Sequence, residues 1–198
     1  MAGKHISSGI FCQPGMICFS RLIIISCISI FNGSARGDIN MVSNDSFRIL
    51  SPVLSDDMII PVKYTSKKEG LNCSLPLHWR NPPENTASYA LIMKDVEIPV
   101  IGNITHWIIF NIPAEKSNLP ENIQPSIELP DGSIQLKNIY RRNAYLGPNP
   151  KGGRHKYVIT LYALSMILPR EKIRNAGILK KYLNDYTIST ATLIFYCD

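Results

Sequence analysis

Acidic residues are missing from the first 37 positions, and all 15 of them lie at Asp38 or later. The chain also lacks any uncharged apolar run of the roughly 18 to 20 residues that cross a bilayer as a helix, which excludes a multi-span membrane protein. Charged residues make up 18% against 45% hydrophobic, a balance that excludes a disordered chain. There is no CxxC and no Cys/His pairing at zinc spacing, so no structural zinc site is written into the sequence. A GxxxxGK[ST] loop is absent too, which excludes a P-loop nucleotide site. What is present, 14 Pro, 12 Gly and nine Tyr in 198 residues, points to turns and strands over a helical bundle.

The missing acids mark off a leader. Residues 1–35 carry only Lys4 and Arg21 as charged residues, and Arg21 is followed by ten uncharged residues, Leu22 to Phe31. Asn32-Gly33-Ser34-Ala35 closes the segment with small and polar residues. A basic start, a short apolar stretch and a small-residue exit form the pattern of a secretory signal peptide cut near Ala35. Met16 offers an alternative start with a more compact basic region. A buried first strand is the other reading of the apolar stretch, and Ile24-Ile25-Ser26-Cys27 also matches a lipoprotein box, although few residues separate it from Arg21. Removal of residues 1–35 takes away two cations and no acid, so the net charge falls from +6 to +4 and 163 residues remain. That lowers the case for a nucleic-acid partner. Cys12, Cys18 and Cys27 leave with the leader, and Cys73 and Cys197 stay as candidates for one disulfide in an exported protein.

Residues 36–46 form a polar lead-in, and residues 47–198 read as a single domain of short strands. Phe47–Leu50, Ser88–Met93, His106–Asn111, Lys156–Leu164 and Thr190–Tyr196 are the predicted strands, separated by turn chemistry such as Asn81-Pro82-Pro83 and Asp131-Gly132. A helix is predicted from Pro169 to about residue 185, with Ile173, Ala176, Leu179 and Leu183 on one face and Gly177 as its weak point. The pattern predicts a mostly β, mostly antiparallel domain with a small helical appendage.

Three motifs carry chemistry. Asp95 and Glu97 sit two apart at the end of a strong apolar strand, where strand geometry turns them to one face. Such a pair serves as an acid/base couple, a metal site, a loop anchor or a solvated strand end. His106 opens a buried strand, with Trp107 expected on the opposite face as core. Gly147-Pro148-Asn149-Pro150-Lys151-Gly152-Gly153 is a loop whose glycines can offer backbone N–H groups to an anion, and His155 and Tyr157 follow it on one face of the next strand. Lys151, Arg154 and Lys156 add positive charge there. Read alone, the loop is only a Pro/Gly connection.

In this order, each beside a strand, the three motifs resemble the phosphatidylethanolamine-binding protein family, also called the Raf kinase inhibitor-like family, and its bacterial members most. The resemblance covers roughly Phe47 to Tyr196. It implies an antiparallel β-fold with a larger and a smaller sheet, short helices near the C-terminus, and a small surface pocket for phosphate-type anions or phospholipid head groups. By the same resemblance Asp95 and Glu97 match the two acids of the Asp-Pro-Asp-x-Pro motif, and His106 matches the pocket histidine. Gly147 and Pro148 match the start of the pocket loop, His155 and Tyr157 match its His-Arg-Tyr segment, and Trp79 matches a structural aromatic. The chain departs at Val96, which replaces a proline and loosens that turn, at Glu97, one methylene longer than Asp, at Asn149 and Lys151 in the loop, and at Lys156, which lacks the guanidinium fork.

The expected function is an exported, periplasmic or secreted, binding protein with an anion pocket and no cofactor or resident metal. The alternatives are an inhibitory module acting on a kinase or protease, as family members do, and a metal-dependent hydrolase built on Asp95, Glu97, His106 and His155. In the expected pocket, Asp95 orients and charges a histidine, and imidazolium and loop N–H groups bind the phosphate. When the full chain is expressed in a bacterium, Edman sequencing of the exported protein is expected to begin near Arg36; a chain retained in the cytoplasm with residues 1–35 intact overturns the leader.

Overall fold

Along Ser88–Asp95, Tyr89, Leu91 and Met93 alternate with Ala90 and Ile92, and both sets are buried. A strand buried on both faces needs cover on both, and its sequence accordingly reads as an unbroken apolar run. The computed structural model describes residues 46–97 and 104–198, and in it this strand, β3, lies at the centre of a five-stranded sheet. The predicted leader and nearly all of the polar lead-in lie outside the described residues.

The strands are β1 (Arg48–Leu50), β2 (Leu77–Arg80), β3 (Ser88–Asp95), β4 (Ile104–Pro113), β5 (Asn118–Leu119), β6 (Ile134–Gln135), β7 (His155–Leu164) and β8 (Thr187–Cys197). They form a smaller sheet in the order β1-β2-β5 and a larger one in the order β6-β4-β3-β7-β8, with every pairing antiparallel. One face of the larger sheet, through Tyr89, Leu91, Met93, Ile109 and Leu161, shares a core with Ile49, Leu77 and Trp79 of the smaller sheet. The other face, through Ala90, Ile92, Ile108 and Phe110, shares a second core with Leu179 and Leu183 of the helix α1 (Ala176–Tyr186). The expected mostly β, two-sheet architecture is therefore the one observed. β2, β5 and β6 were not predicted as strands, because pieces of two to four residues become strands only through their partners.

The predicted helix is divided. A 3-10 turn spans Arg170–Lys172, and α1 starts later, with Asn175 as its N-cap accepting the Ile178 N–H through Oδ1 at 3.0 Å. The break thus falls at the capping asparagine and not at Gly177, which lies inside the first turn.

Two shifts of register set the course of β4. Met93 pairs with Trp107 but Lys94 pairs with Thr105, so His106 is an extra residue. A second shift, between Tyr89 and Leu91, leaves Asn111 at φ 55°. Asparagine is among the few side chains that tolerate this left-handed region. Its amide also clamps the chain beyond β7, donating to the Leu168 carbonyl at 2.9 Å and accepting the Leu168 N–H at 2.8 Å.

Cys73 and Cys197 are both buried free thiols, so the candidate disulfide does not form. Burial pushes both thiols up, away from the reactive thiolate.

Asn111→Ala is expected to destabilise the fold by about 2 kcal/mol or more, read by urea unfolding, because it strains the backbone and strands two polar groups. Asn111→Gly relieves the backbone and should cost less; equal costs for the two would show that the left-handed conformation contributes nothing.

Candidate functional site

The end of β3 turns a carboxylate into the protein. Asp95 is 2% exposed, and it is balanced there by two donors. The His155 Nδ1–H donates to Oδ2 at 2.8 Å from the start of β7, and the Glu97 N–H donates to Oδ1 at 3.0 Å. Register makes the first bond possible, because Asp95 pairs with Tyr157 and so stands diagonal to His155 on the same face. Asp95 and Glu97 both line one cavity, but not through strand alternation. β3 ends at Asp95, so strand alternation no longer applies, and Glu97 is exposed, contributing its amide to Asp95. Nor is the turn loosened at Val96. The N–H that a proline would lack donates to the Lys156 carbonyl at 3.0 Å, which carries the ladder one residue beyond the strand.

His106 reaches the same cavity because of the register shift. The sequence predicts His106 and Trp107 on opposite faces, and regular alternation would thus send His106 to the helix side. As the extra residue of a β-bulge it lies on the side of Trp107, edge-on to the Tyr157 ring at 5.2 Å. Its Nδ1–H donates to the Leu146 carbonyl at 2.9 Å, and the Leu146 N–H returns a bond to the His106 carbonyl at 3.1 Å. Burial pushes the His106 imidazole below its ordinary range, and the Leu146 carbonyl and Asp95 oppose that shift without cancelling it. The free ring is therefore neutral near pH 7, and the histidine that Asp95 orients is His155. With Nδ1 holding the proton, its Nε2 is an acceptor. For Tyr157, burial and then the Asp95 carboxylate push the hydroxyl well above its usual value, so it stays a neutral phenol.

Asp95, Glu97, His106, Gly147, His155 and Tyr157 all line one cavity of about 460 Å³, while Pro148 does not. Lys151 also lines it. Arg154 is instead paired with Asp198, at 2.6 Å and 3.3 Å, and neither it nor Lys156 is among the lining residues. The positive charge at the cavity is thus narrower than the sequence implies, since residues alternate out of the site as β7 begins.

The role expected of Gly147 changes. Its N–H is already taken, donating to Asn72 Oδ1 at 2.7 Å. Glycine is required there by close approach: a Cβ would stand 2.5 Å from the Tyr64 carbonyl oxygen and 2.6 Å from the Ser66 nitrogen. The loop is further fixed by Ser66, whose N–H donates to the Pro148 carbonyl at 3.0 Å and whose hydroxyl donates to the Gly147 carbonyl at 2.8 Å. Asn149 reaches back to the Ser66 carbonyl at 3.2 Å. Ser66, Asn72 and Asn149 are the residues that sequence reasoning missed. Nothing in the pattern around Ser66 or Asn72 marks them, because their partners lie 75 to 83 positions away.

Both Asp95 oxygens and both histidine Nδ1 atoms are engaged, which leaves each Nε2 as the ring's remaining polar atom, and no group of three His, Cys, Asp or Glu side chains that could hold a metal ion forms among the described residues.

Comparisons place this geometry among known proteins. A UPF0098 protein of Methanothermobacter thermautotrophicus is 38% identical over 136 residues, 68% of this chain and 87% of its own. A UPF0098 protein of Pyrococcus abyssi is 34% identical over 149 residues, covering 73% of this chain and 82% of its own. Among solved structures, Escherichia coli YbcL, described as a member of the mammalian PEBP family, superposes with a TM-score of 0.68 at 25% identity, over 77% of this chain and 98% of YbcL. The PEBP homologue CT736 of Chlamydia trachomatis gives 0.68 at 28% identity, over 78% and 98%. The phosphatidylethanolamine-binding protein family model matches residues 50–197. The chain belongs to the phosphatidylethanolamine-binding protein family.

Proposed function

We propose that this binding protein holds a phosphate-type anion, either free or as a phospholipid head group, in the cavity between His106 and His155. The observation that carries the reading is the buried Asp95–His155 pair at 2.8 Å with His106 lining the same cavity. Each histidine has committed Nδ1 to a protein acceptor, which fixes its ring and leaves Nε2 as its remaining polar atom. When an anion enters, protonation at Nε2 gives a charge-assisted donor. Lys151 contributes a permanent charge at the mouth. Asp95 opposes an anion by its charge, so its part is to orient His155, with its oxygens turned to the His155 Nδ1–H and the Glu97 N–H. We further propose export, on the leader in residues 1–35.

Inhibition of a protein partner through the same cavity is the second reading. It is favoured by Tyr140, which lines the cavity yet is 70% exposed, a lip on which a partner's side chain could pack.

Because the free His106 is neutral and the bound anion favours the imidazolium, binding takes up a proton. Affinity should therefore rise as pH falls through the histidine range and the ordinary value of about 6.5. A calorimetric titration with phosphate, checked with sulfate, whose charge is constant in this range, measures it; affinity flat from pH 5 to 8 overturns the assignment. His106→Ala and His155→Ala are each expected to fold and to bind phosphate on the order of tenfold more weakly. Wild-type affinity in both variants would show that the anion does not bind between them.

A further inference from the structure

Strand β3 presents chemistry on its opposite face as well. Asp95 turns to the anion cavity, and Lys94, one residue earlier, turns to the helix side, where it lines a separate groove of about 510 Å³ between α1 and the larger sheet. This volume lies within the range of roughly 300 to 1,000 Å³ typical of small-molecule sites. Its apolar surface comes from Ile92 and Tyr162 of the sheet and from Ala176 and Leu183 of α1. Two lysines, Lys94 and Lys180, stand in it, and no Asp or Glu is among the described residues that line it. Neither ammonium has an ion-pair partner among the described residues. Lys63, Lys116, Arg154 and Arg170 are matched with acids elsewhere in the fold, whereas no acid lines this groove, so its two lysines leave a local excess of positive charge that an anionic ligand would answer.

Gly177 supplies the second observation. It lies in the first turn of α1 and lines the groove. Glycine is a poor helix former, and the usual reasons for it are missing at this position. Its φ is not positive, and an added Cβ would meet Asn175 Oδ1 at 3.3 Å, a tight contact that this capping side chain must yield to. No close approach of backbone demands the residue, in contrast to Gly147. What its missing side chain does provide is open volume next to Lys180.

We propose that this groove is a second ligand site, independent of the anion cavity, and that it binds an alkyl carboxylate, with the chain on Ile92, Tyr162 and Leu183 and the carboxylate between Lys94 and Lys180. A free phosphate would leave the apolar surface uncovered, and an uncharged alkane would leave the lysines unanswered. Both halves of the groove are served only by an amphipathic anion.

The test is an NMR titration of the full chain with decanoate, below its micelle-forming concentration, and with decanol as the uncharged isostere. Saturable amide shifts confined to Ile92, Thr105 and residues 176–184 are expected with decanoate. Affinity should fall on the order of tenfold in Lys94→Ala/Lys180→Ala and be lost in Gly177→Leu, whose side chain fills the groove. Gly177→Leu gains helix propensity and presses on the Asn175 cap, so its melting temperature is measured beside its binding, and a variant that melts like the wild type without binding separates loss of binding from loss of fold. His155→Ala, on the opposite face, should bind decanoate as the wild type does. The proposal is overturned if decanoate gives no saturable shift, if decanol binds equally well, or if Gly177→Leu binds like the wild type. It fails equally if decanoate moves these amides only after residues 1–45 are removed, which would make the chain's own N-terminal segment the occupant.

Discussion

A carboxylate buried at the end of a central strand is tolerable only when its charge is met by donors. Asp95 meets that condition with one imidazole N–H and one backbone N–H, and those two bonds organise the cavity around it. The bond to His155 orients that ring and ties β3 to β7 at the mouth of the cavity. The bond from Glu97 turns the chain away from the strand as soon as Asp95 is in place. Tyr157, paired with Asp95 across the ladder, fills the floor between the two histidines as a neutral phenol. Removal of the carboxylate would leave both donors without their common partner.

The second requirement is that His106 reach the same cavity, and this depends on backbone count. One extra residue in β4 sets the histidine on the cavity side with Trp107, while Thr105 stands opposite Lys94 on the helix side. A β-bulge of this kind re-aims a single side chain without disturbing the cores to either side. The loop that closes the cavity answers a related constraint. Gly147 passes so near to residues 64–66 that no side chain fits, and Asn72, Ser66 and Asn149 then fasten it by hydrogen bonds. The cavity is therefore shaped before any ligand enters, which limits the ordering cost of binding.

Much of this was legible in the chain. Ser88–Met93 and Lys156–Leu164 declared themselves by length and by β-branched and aromatic content, and the motif order around Asp95, His106 and His155 pointed to a family that the relatives bear out. Strand alternation set His106 and Trp107 on opposite faces, which the bulge undoes, and it does not apply to Glu97, which lies beyond the end of the strand. The helix was placed one cap too early, since Ile173 continues the apolar spacing although Asn175 interrupts the backbone.

By itself the sequence determined the strands with both faces buried, the residue types that gather at the cavity, and the charge asymmetry of residues 1–35. These are local quantities: periodicity, composition and short motifs record them directly. Tertiary structure alone decided which donors are still free. The Gly147 and Val96 amides look available in the sequence and are consumed in the fold, and the cations of Arg154 and Lys156 turn out to lie beyond the cavity's lining. The physical reason is that a hydrogen bond is spent by whichever partner folding brings near, and those partners stand up to 75 residues away in the chain.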